Sequence, residues 1–447
     1  MKATIVSTIL ALCSTAAVAQ IAITGSPVSE VSVPASMGYT TVYVVRDTDG
    51  ARLSYTASRP GTRWERWDHN GAAYAEPVAG VIADGNTSSI DLSDIEVGAG
   101  FTVTDPDGTP RYLWVVNYEV QRFQLGSVDL DLGTEDCART RLLPGLGTQA
   151  GPITAYSING RSQVIDRDII ISYHTLTYNA DSGEYVQTEA TTSVASITGA
   201  IYVDAPLCDT RFTISPDRFT REWYPTTADV QTASYTAIAV DAHTSAEQRV
   251  ETSDNEQSPE GDGGTLGGSA PCEITFRAAV SDAAIYRRWE ISLTPDFADS
   301  ELQYDQLEFT HTFTEAGTRY VRFTADNAAG TCPYEGETYT VNIGESRLLC
   351  PNAFSPGASE GVNDEWRVSY RSIVDFDCQI FNRWGKRLAT LTHPSQGWDG
   401  KVGGKVVPSG VYYYVIKARG ADGKEYKLAG DINIINSRRG TGTQPVE

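Results

Sequence analysis

The residues that could carry chemistry in this chain are scattered. Its five histidines, His69, His174, His243, His311 and His393, form no close pair and no H-E-x-x-H motif, so a zinc hydrolase has no visible scaffold. G-x-S-x-G, Walker and dinucleotide fingerprints are missing too. The turns "DTDG" (Asp47, Asp49) and "DPDG" (Asp105, Asp107) each offer two carboxylates, where calcium takes about six to eight oxygens. They read as plain hairpin turns. Acidic residues are numerous enough to hide a glycosidase pair, yet nothing singles one out. One stretch joins aromatics to polar partners: "RPGTRWERWDHNGAAY" holds Arg63, Trp64, Arg66, Trp67, Asp68 and Tyr74. Such a group can stack on a sugar or dock a peptide, and it also fits an alternating core edge, which is the reading preferred here. No catalytic residue, metal or cofactor is expected.

Behind these residues the texture is β throughout. Runs such as "TTVYVVRD", "PRYLWVVNYEVQRF", "RDIIISYHTLTYN" and "GVYYYVIKARG" alternate with turn signals such as "DPDG", "NADSG" and "ADG". Long helical periodicity and a βαβ rhythm are both missing, which favours stacked sandwiches. At 447 residues the chain needs several of them. The expected fold class is all-β: tandem immunoglobulin-like β-sandwich modules with a small β-sandwich at the C-terminus.

Residues 1–19 read as a signal peptide, with Lys2, a short apolar run and small residues before Gln20. No later run reaches the roughly 18 apolar residues of a membrane helix, so no transmembrane segment is expected. Export suits the six cysteines that remain: Cys137, Cys208, Cys272, Cys332, Cys350 and Cys378. Their even number and lack of C-x-x-C spacing favour disulfides over zinc. Between Cys350 and Arg439 thirteen Lys/Arg face nine Asp/Glu, so residues 20–349 carry about −26 against a formal −22 for the whole chain. An acidic body of that kind excludes nucleic acid as a partner, because phosphates would be repelled.

Composition divides the mature chain into β regions at 20–130, 131–207 and 208–252, the last short enough to complete a neighbour. A polar, glycine-rich, aromatic-free stretch at 253–271 reads as a flexible linker. A fourth module covers 272–346 and a terminal one 349–439.

The fourth module is similar to polycystic-kidney-disease-type and related immunoglobulin-like domains. "RRWEIS" with Trp289 and "FTHTFTEAGTRYVRFTADNAAGTC" carry the likeness. Trp289, Phe313, Tyr320 and Phe323 are expected to face the core, and Cys272 is expected to bond Cys332 across facing sheets. In the terminal module, Cys350 and Cys378 both flank strands and are expected to staple the small core. The pairing of Cys137 and Cys208 stays open.

The terminal module resembles the gliding-motility-associated C-terminal domain, a type B sorting domain of the type IX secretion system of the Bacteroidota. Pro351, Asn352, Phe354, Pro356, Gly361, Asn363 and Asp364 match the opening motif. Phe381, Asn382, Arg383, Trp384 and Gly385 match the central turn, and Trp398, Asp399, Gly400, Gly410, Tyr412 and Tyr414 the closing half. The stretch Gly357 to Glu360 departs from the family by one residue in length. The resemblance implies secretion across the outer membrane to the cell surface or medium, type IX machinery as partner, and a surface sortase that removes the tail. Read from the residues alone, Trp384 and Trp398 cover the sheet, and the basic strip of Arg383, Lys386, Arg387, Lys417 and Arg419 keeps an edge soluble. The other reading is that this strip and the terminal strand are read by secretion components, with no particular residue identified by the resemblance. The leading expectation is a non-enzymatic adhesin or structural interaction protein with an extracellular protein or glycan ligand. The alternative is a carbohydrate-binding protein or polysaccharide-acting enzyme with its site in residues 20–250.

Overall fold

A computed structural model describes residues 20–435, except 40, 132, 134, 135, 251, 252, 258–264 and 358–360. The signal-peptide expectation therefore lies outside the described residues. The chain is all-β, a tandem of β-sandwiches, with one short α-helix, Arg218–Trp223, among the described residues. It falls into two units, one within Met1–Thr175 and Gln187–Ala237, the other within Leu176–Val186 and Ile238–Glu447.

In the first unit a four-stranded and a six-stranded sheet make the opening sandwich. Leu53, Tyr55, Trp64, Ile90, Phe101 and Val115 fill the space between them. The six-stranded sheet is covered on its other face as well, where Val42, Val44, Trp67, Trp114 and Val116 pack with Ile153, Ala155, Ile165 and Phe219 of the next domain. Burial on both faces explains why Thr41–Val45 ("TVYVV") and Pro110–Asn117 ("PRYLWVVN") are nearly continuous apolar runs instead of alternating ones. Trp64 and Trp67 stand three residues apart on one strand, so they enter opposite cores.

The second domain of this unit takes strands from both the 131–207 and 208–252 regions. Ile169–Asn179 pairs with Thr213–Ile214, which pairs with Val230–Gln231. One joint within the first unit was invisible in the sequence. Arg167 and Asp217, both buried, form an ion pair of 2.5 Å. Arg167 also donates from Nε to the Gly151 carbonyl (2.7 Å) and from Nη2 to the Gln121 carbonyl (2.7 Å). Asp217 caps the helix by accepting from the Thr220 amide (2.8 Å) and also accepts from the Tyr118 hydroxyl (2.6 Å). Burial, and after it the Asp217 charge, pushes the Tyr118 hydroxyl pKa up.

In the second unit, Ala242–Arg249, Cys272–Val280 and Glu308–Phe313 form one sheet of a sandwich. Its partner sheet includes Tyr286–Ser292 and Gly317–Asp326. Trp289, Phe313 and Phe323 are core residues, as their positions suggested. Tyr320 is not. It lies three residues from Phe323 and so faces the other way, while Val321 and Ala325 share the inner face.

The cysteines differ from expectation. Cys332 is disulfide-bonded, but Cys272 carries a thiol, so the anticipated Cys272–Cys332 bond is absent; Cys137 is the other disulfide-bonded cysteine among the described residues. Cys272 sits on the strand facing Phe313 and points into the core. Cys350 and Cys378 are likewise thiols, packed together in the terminal core beside Tyr414. Facing strands supply proximity, which is necessary for a bond but does not by itself meet the narrow geometry a disulfide needs.

The 253–271 stretch is also corrected at its described ends, which are not a free tether. Leu266–Gly268 adds a parallel strand beside Tyr339–Ile343. Gly267 holds φ +108°, and a Cβ there would meet the Asn342 carbonyl at 2.2 Å, so only glycine fits. The Asn255 side chain donates to the carbonyls of Val368 (2.7 Å) and Pro394 (2.8 Å). A polar, aromatic-free segment cannot build a core, but its backbone and amides can complete those of its neighbours.

The terminal domain is a five-stranded sheet in the order Ala353–Phe354, Glu425–Ile434, Gly410–Gly420, Ile373–Phe381, Arg387–Leu391. Its core gathers Trp366, Tyr370, Cys378, Ile380, Trp398, Tyr412, Ile416 and Ile432.

Candidate functional site

Two places bring together residues singled out in the sequence. The first is a cleft of about 680 Å³ on the opening sandwich, lined by Arg66, Asp68, Tyr74, Glu76, Asp91 and Asp94 among others. Trp64 and Trp67 are buried, and the Trp64 indole donates to Ser88 Oγ (2.8 Å), so neither offers a stacking face. The exposed aromatic is Tyr74, 73% accessible. Arg66 is ion-paired to Asp94. Asp68 accepts from the Asn70 amide (2.8 Å) and side chain (3.1 Å), and Asp91 from the Ser93 amide (2.9 Å) and hydroxyl. These hydrogen bonds hold both carboxyl pKa values below the usual range, led by the Asn70 amide at Asp68 and the Ser93 hydroxyl at Asp91. Carboxylates so held accept hydrogen bonds and do not donate protons near neutrality, so this pair suits binding hydroxyl groups better than acid catalysis.

The remaining candidates are structural. Asp47 Oδ1 accepts from the Asp49 amide (3.0 Å) and Asp107 Oδ1 from the Thr109 amide (2.9 Å), each closing its own turn. Asp105 accepts from the Tyr55 hydroxyl (2.8 Å). His243 stacks on Tyr178 and His311 meets the Tyr304 hydroxyl at 3.1 Å. His393 meets Ser395 Oγ at 2.7 Å. Among the described residues no group of three or more His, Cys, Asp or Glu is placed to hold a metal.

The second place is the terminal domain, where the motif residues prove to be a set of clasped turns around an aromatic core. Asp364 closes the opening loop by accepting from the amides of Gly357 (2.8 Å) and Gly361 (2.7 Å). Asn363 takes φ +57° there, and its carbonyl accepts from the Ser355 amide. The Pro351 carbonyl receives the Trp366 indole N–H (2.7 Å), and the Asn352 carbonyl receives the Asn433 amide. Phe354 packs on Trp398, and a Cβ on Gly400 would press against Phe354 and Pro356.

The central turn follows the same logic. Asn382 Oδ1 accepts from the amides of Trp384 and Lys386 (3.0 Å each), and Gly385 supplies φ +76°. Asp399 accepts from the Lys401 amide (2.9 Å), and Tyr412 donates to the Pro408 carbonyl (2.8 Å). Tyr414 packs on Trp366, and Gly430 leaves room for it, since a Cβ there would lie 2.6 Å from the Tyr414 hydroxyl. Trp398 covers the core as expected, whereas Trp384 is 75% exposed with the Arg383 guanidinium over its ring at 4.3 Å. The turn geometry that makes Asn382 a clasp throws the two residues after it into solvent.

Two protein families match stretches of the chain. Residues 348–434 match the CHU_C type IX secretion signal domain. Residues 130–232 match the fibronectin type III domain. Among curated protein sequences there is no match. Among solved structures, a tetra-tandem repeat from the extending region of a large adhesion protein is similar at 13% identity and TM-score 0.20, over 87% of this chain and 96% of that one. The N-terminal eight immunoglobulin domains of Down Syndrome Cell Adhesion Molecule align at 11% identity and TM-score 0.22, over 92% and 56%. Latent PorU from Porphyromonas gingivalis aligns at 11% identity and TM-score 0.16, over 73% and 35%. Residues 348–434 thus form a type IX secretion signal domain, which directs export across the outer membrane to the cell surface or medium.

Proposed function

We propose that this chain is a non-enzymatic adhesin or interaction protein, delivered by its tail and binding an extracellular ligand through its sandwiches. The observation that carries the reading is the match to a secretion signal domain, with Asp364, Asn382 and Asp399 each clasping its own turn, behind a series of immunoglobulin-like domains. A surface sortase that removes the tail belongs to this proposal. To test delivery, the full chain and a chain lacking residues 348–447 are expressed in a host with type IX secretion, and protease accessibility on intact cells is measured. Only the complete chain should become accessible; equal accessibility of both would sink the reading.

A carbohydrate ligand is favoured by one observation, the Tyr74 cleft with its acceptor carboxylates. On a glycan panel, Tyr74→Ala should weaken binding by about fivefold, the worth of one aromatic contact of roughly 1 kcal/mol. Unchanged binding by that variant would move the site elsewhere.

A further inference from the structure

Strand Gly410–Gly420 has an unusual outer face. Its inward residues Tyr412, Ile416 and Ala418 are core, and on a half-solvated antiparallel sheet the alternate positions should be polar. Instead Val411, Tyr413 and Val415 stand in a row, each 44% exposed. Tyr413 is paired with Phe381 on one neighbouring strand, which extends the apolar row sideways towards the turn carrying Trp384. On the other it is paired with exposed Asp431, held by the Asn433 side chain, so the apolar patch lies on the Phe381 side. Around this patch, Arg383, Lys386, Arg387 and Lys417 have no ion-pair partner among the described residues. The other cations nearby are neutralised: Arg419 by Asp375, Lys427 by Glu425 and Lys401 by Asp399.

We infer that this face, centred on Tyr413, Val415 and Trp384 and rimmed by Arg383, Lys386 and Arg387, is where a protein of the secretion machinery docks. The partner it fits presents an apolar centre with an acidic rim. The inference rests on the tail being a secretion signal. Two observations lead to that occupant. A signal must be read from its surface, and Arg383 and Trp384 are the motif's exposed basic and aromatic side chains, whereas the half-exposed Asp399 carboxylate is taken up by Lys401 and by its own turn. The others are tied into turns or packed in the core. The adjoining apolar row then supplies the desolvated centre that a protein interface needs, and the unpaired cations supply the complementary rim.

The test uses the full chain in a type IX-competent host, reading the protease-accessible fraction on intact cells. Tyr413→Ser with Val415→Ser, Trp384→Ala, and Lys386→Glu with Arg387→Glu are compared with the unaltered chain and with the chain lacking residues 348–447. Ile285→Ser with Tyr286→Ser, 57% and 61% exposed in the preceding domain, is the control. All alter solvent-facing side chains, and thermal melts of the purified variants verify the fold. Loss of a central aromatic should weaken docking roughly thirtyfold, seen as loss of surface delivery with the chain held in the periplasm. The charge reversal should lower delivery too, and the control should not.

If the tail-less chain stays inside while the folded face variants are delivered normally, the inference fails and the sorting reading survives. If the tail-less chain is delivered, the sorting reading itself fails. If the aromatic variants alone are lost and charge reversal changes nothing, the acidic-rimmed partner is wrong. A wild-type chain that dimerises in solution and becomes monomeric with Tyr413→Ser would assign the face to a second copy and overturn the proposal.

Discussion

Replacing Arg167 by methionine leaves the Asp217 carboxyl buried and without its guanidinium. Neither side chain of the pair is more than 1% accessible, so water cannot substitute for the lost partner. Three further groups are affected, because Arg167 also satisfies the Gly151 and Gln121 carbonyls, and Asp217 holds Tyr118. Breaking a buried pair from one side costs about 3–5 kcal/mol. At roughly 2–4 °C per kcal/mol for a unit of this size, the melting point should fall by roughly 6–20 °C. Arg221→Met is the comparison, since Arg221 and Asp168 pair at 2.6 Å with 31% and 43% exposure. Arg221 also donates to the carbonyls of Asp168 (2.8 Å) and Pro216 (2.5 Å), so its loss should cost about 1–2 kcal/mol, still well below that of Arg167. Hydrogen exchange read by mass spectrometry on the full chain reports the first unit directly, through peptides covering Gly151 to Trp223. Arg167→Lys should fall between the two, because an ammonium keeps the charge but cannot span three acceptors. Equal small losses for Arg167→Met and Arg221→Met would refute the claim that this joint holds the two domains of the unit together.

Three other outcomes follow from individual contacts. Gly100→Ala would set a Cβ 2.2 Å from the Trp67 ring, and denaturant titration should show a loss of about 1–3 kcal/mol from overpacking. Burial, ahead of the opposing charge of Glu301, lowers the His311 pKa from its ordinary 6.5, so the folded state prefers the neutral ring. Its contribution is complete above pH 6.5 and is lost as pH falls through the lower folded value; melts between pH 7.5 and 5 should fall more steeply in the wild type than in His311→Gln. Burial also pushes the Cys378 thiol pKa up to about 12, so iodoacetamide at pH 8 should label Cys378 only after unfolding, and labelling of the native protein would contradict its place in the core.

The terminal domain was legible in advance because its signal is local. Asn382 reaches amides two and four residues on, Asp399 two, and Asp364 three and seven residues back, so each clasp is written within one short stretch. A motif built from such turns survives in the sequence as a readable order of residues. The β class was legible for a similar reason, since alternation and turn chemistry act over a few neighbours. The sequence by itself therefore determined the strands, the turns and the secretion signal. Tertiary structure decided the rest, wherever a residue's role depends on what distant chain lies opposite. It put a second core behind "TVYVV", so that Trp67 became interior and Tyr74 was left as the exposed aromatic of the cleft. It chose thiols for Cys272, Cys350 and Cys378 and turned Tyr320 away from the core. It joined Arg167 to Asp217 across 50 residues and left Tyr413 44% exposed on the outer face of its strand. None of these could be read locally, because burial and pairing belong to the surfaces that meet and not to the residues that make them.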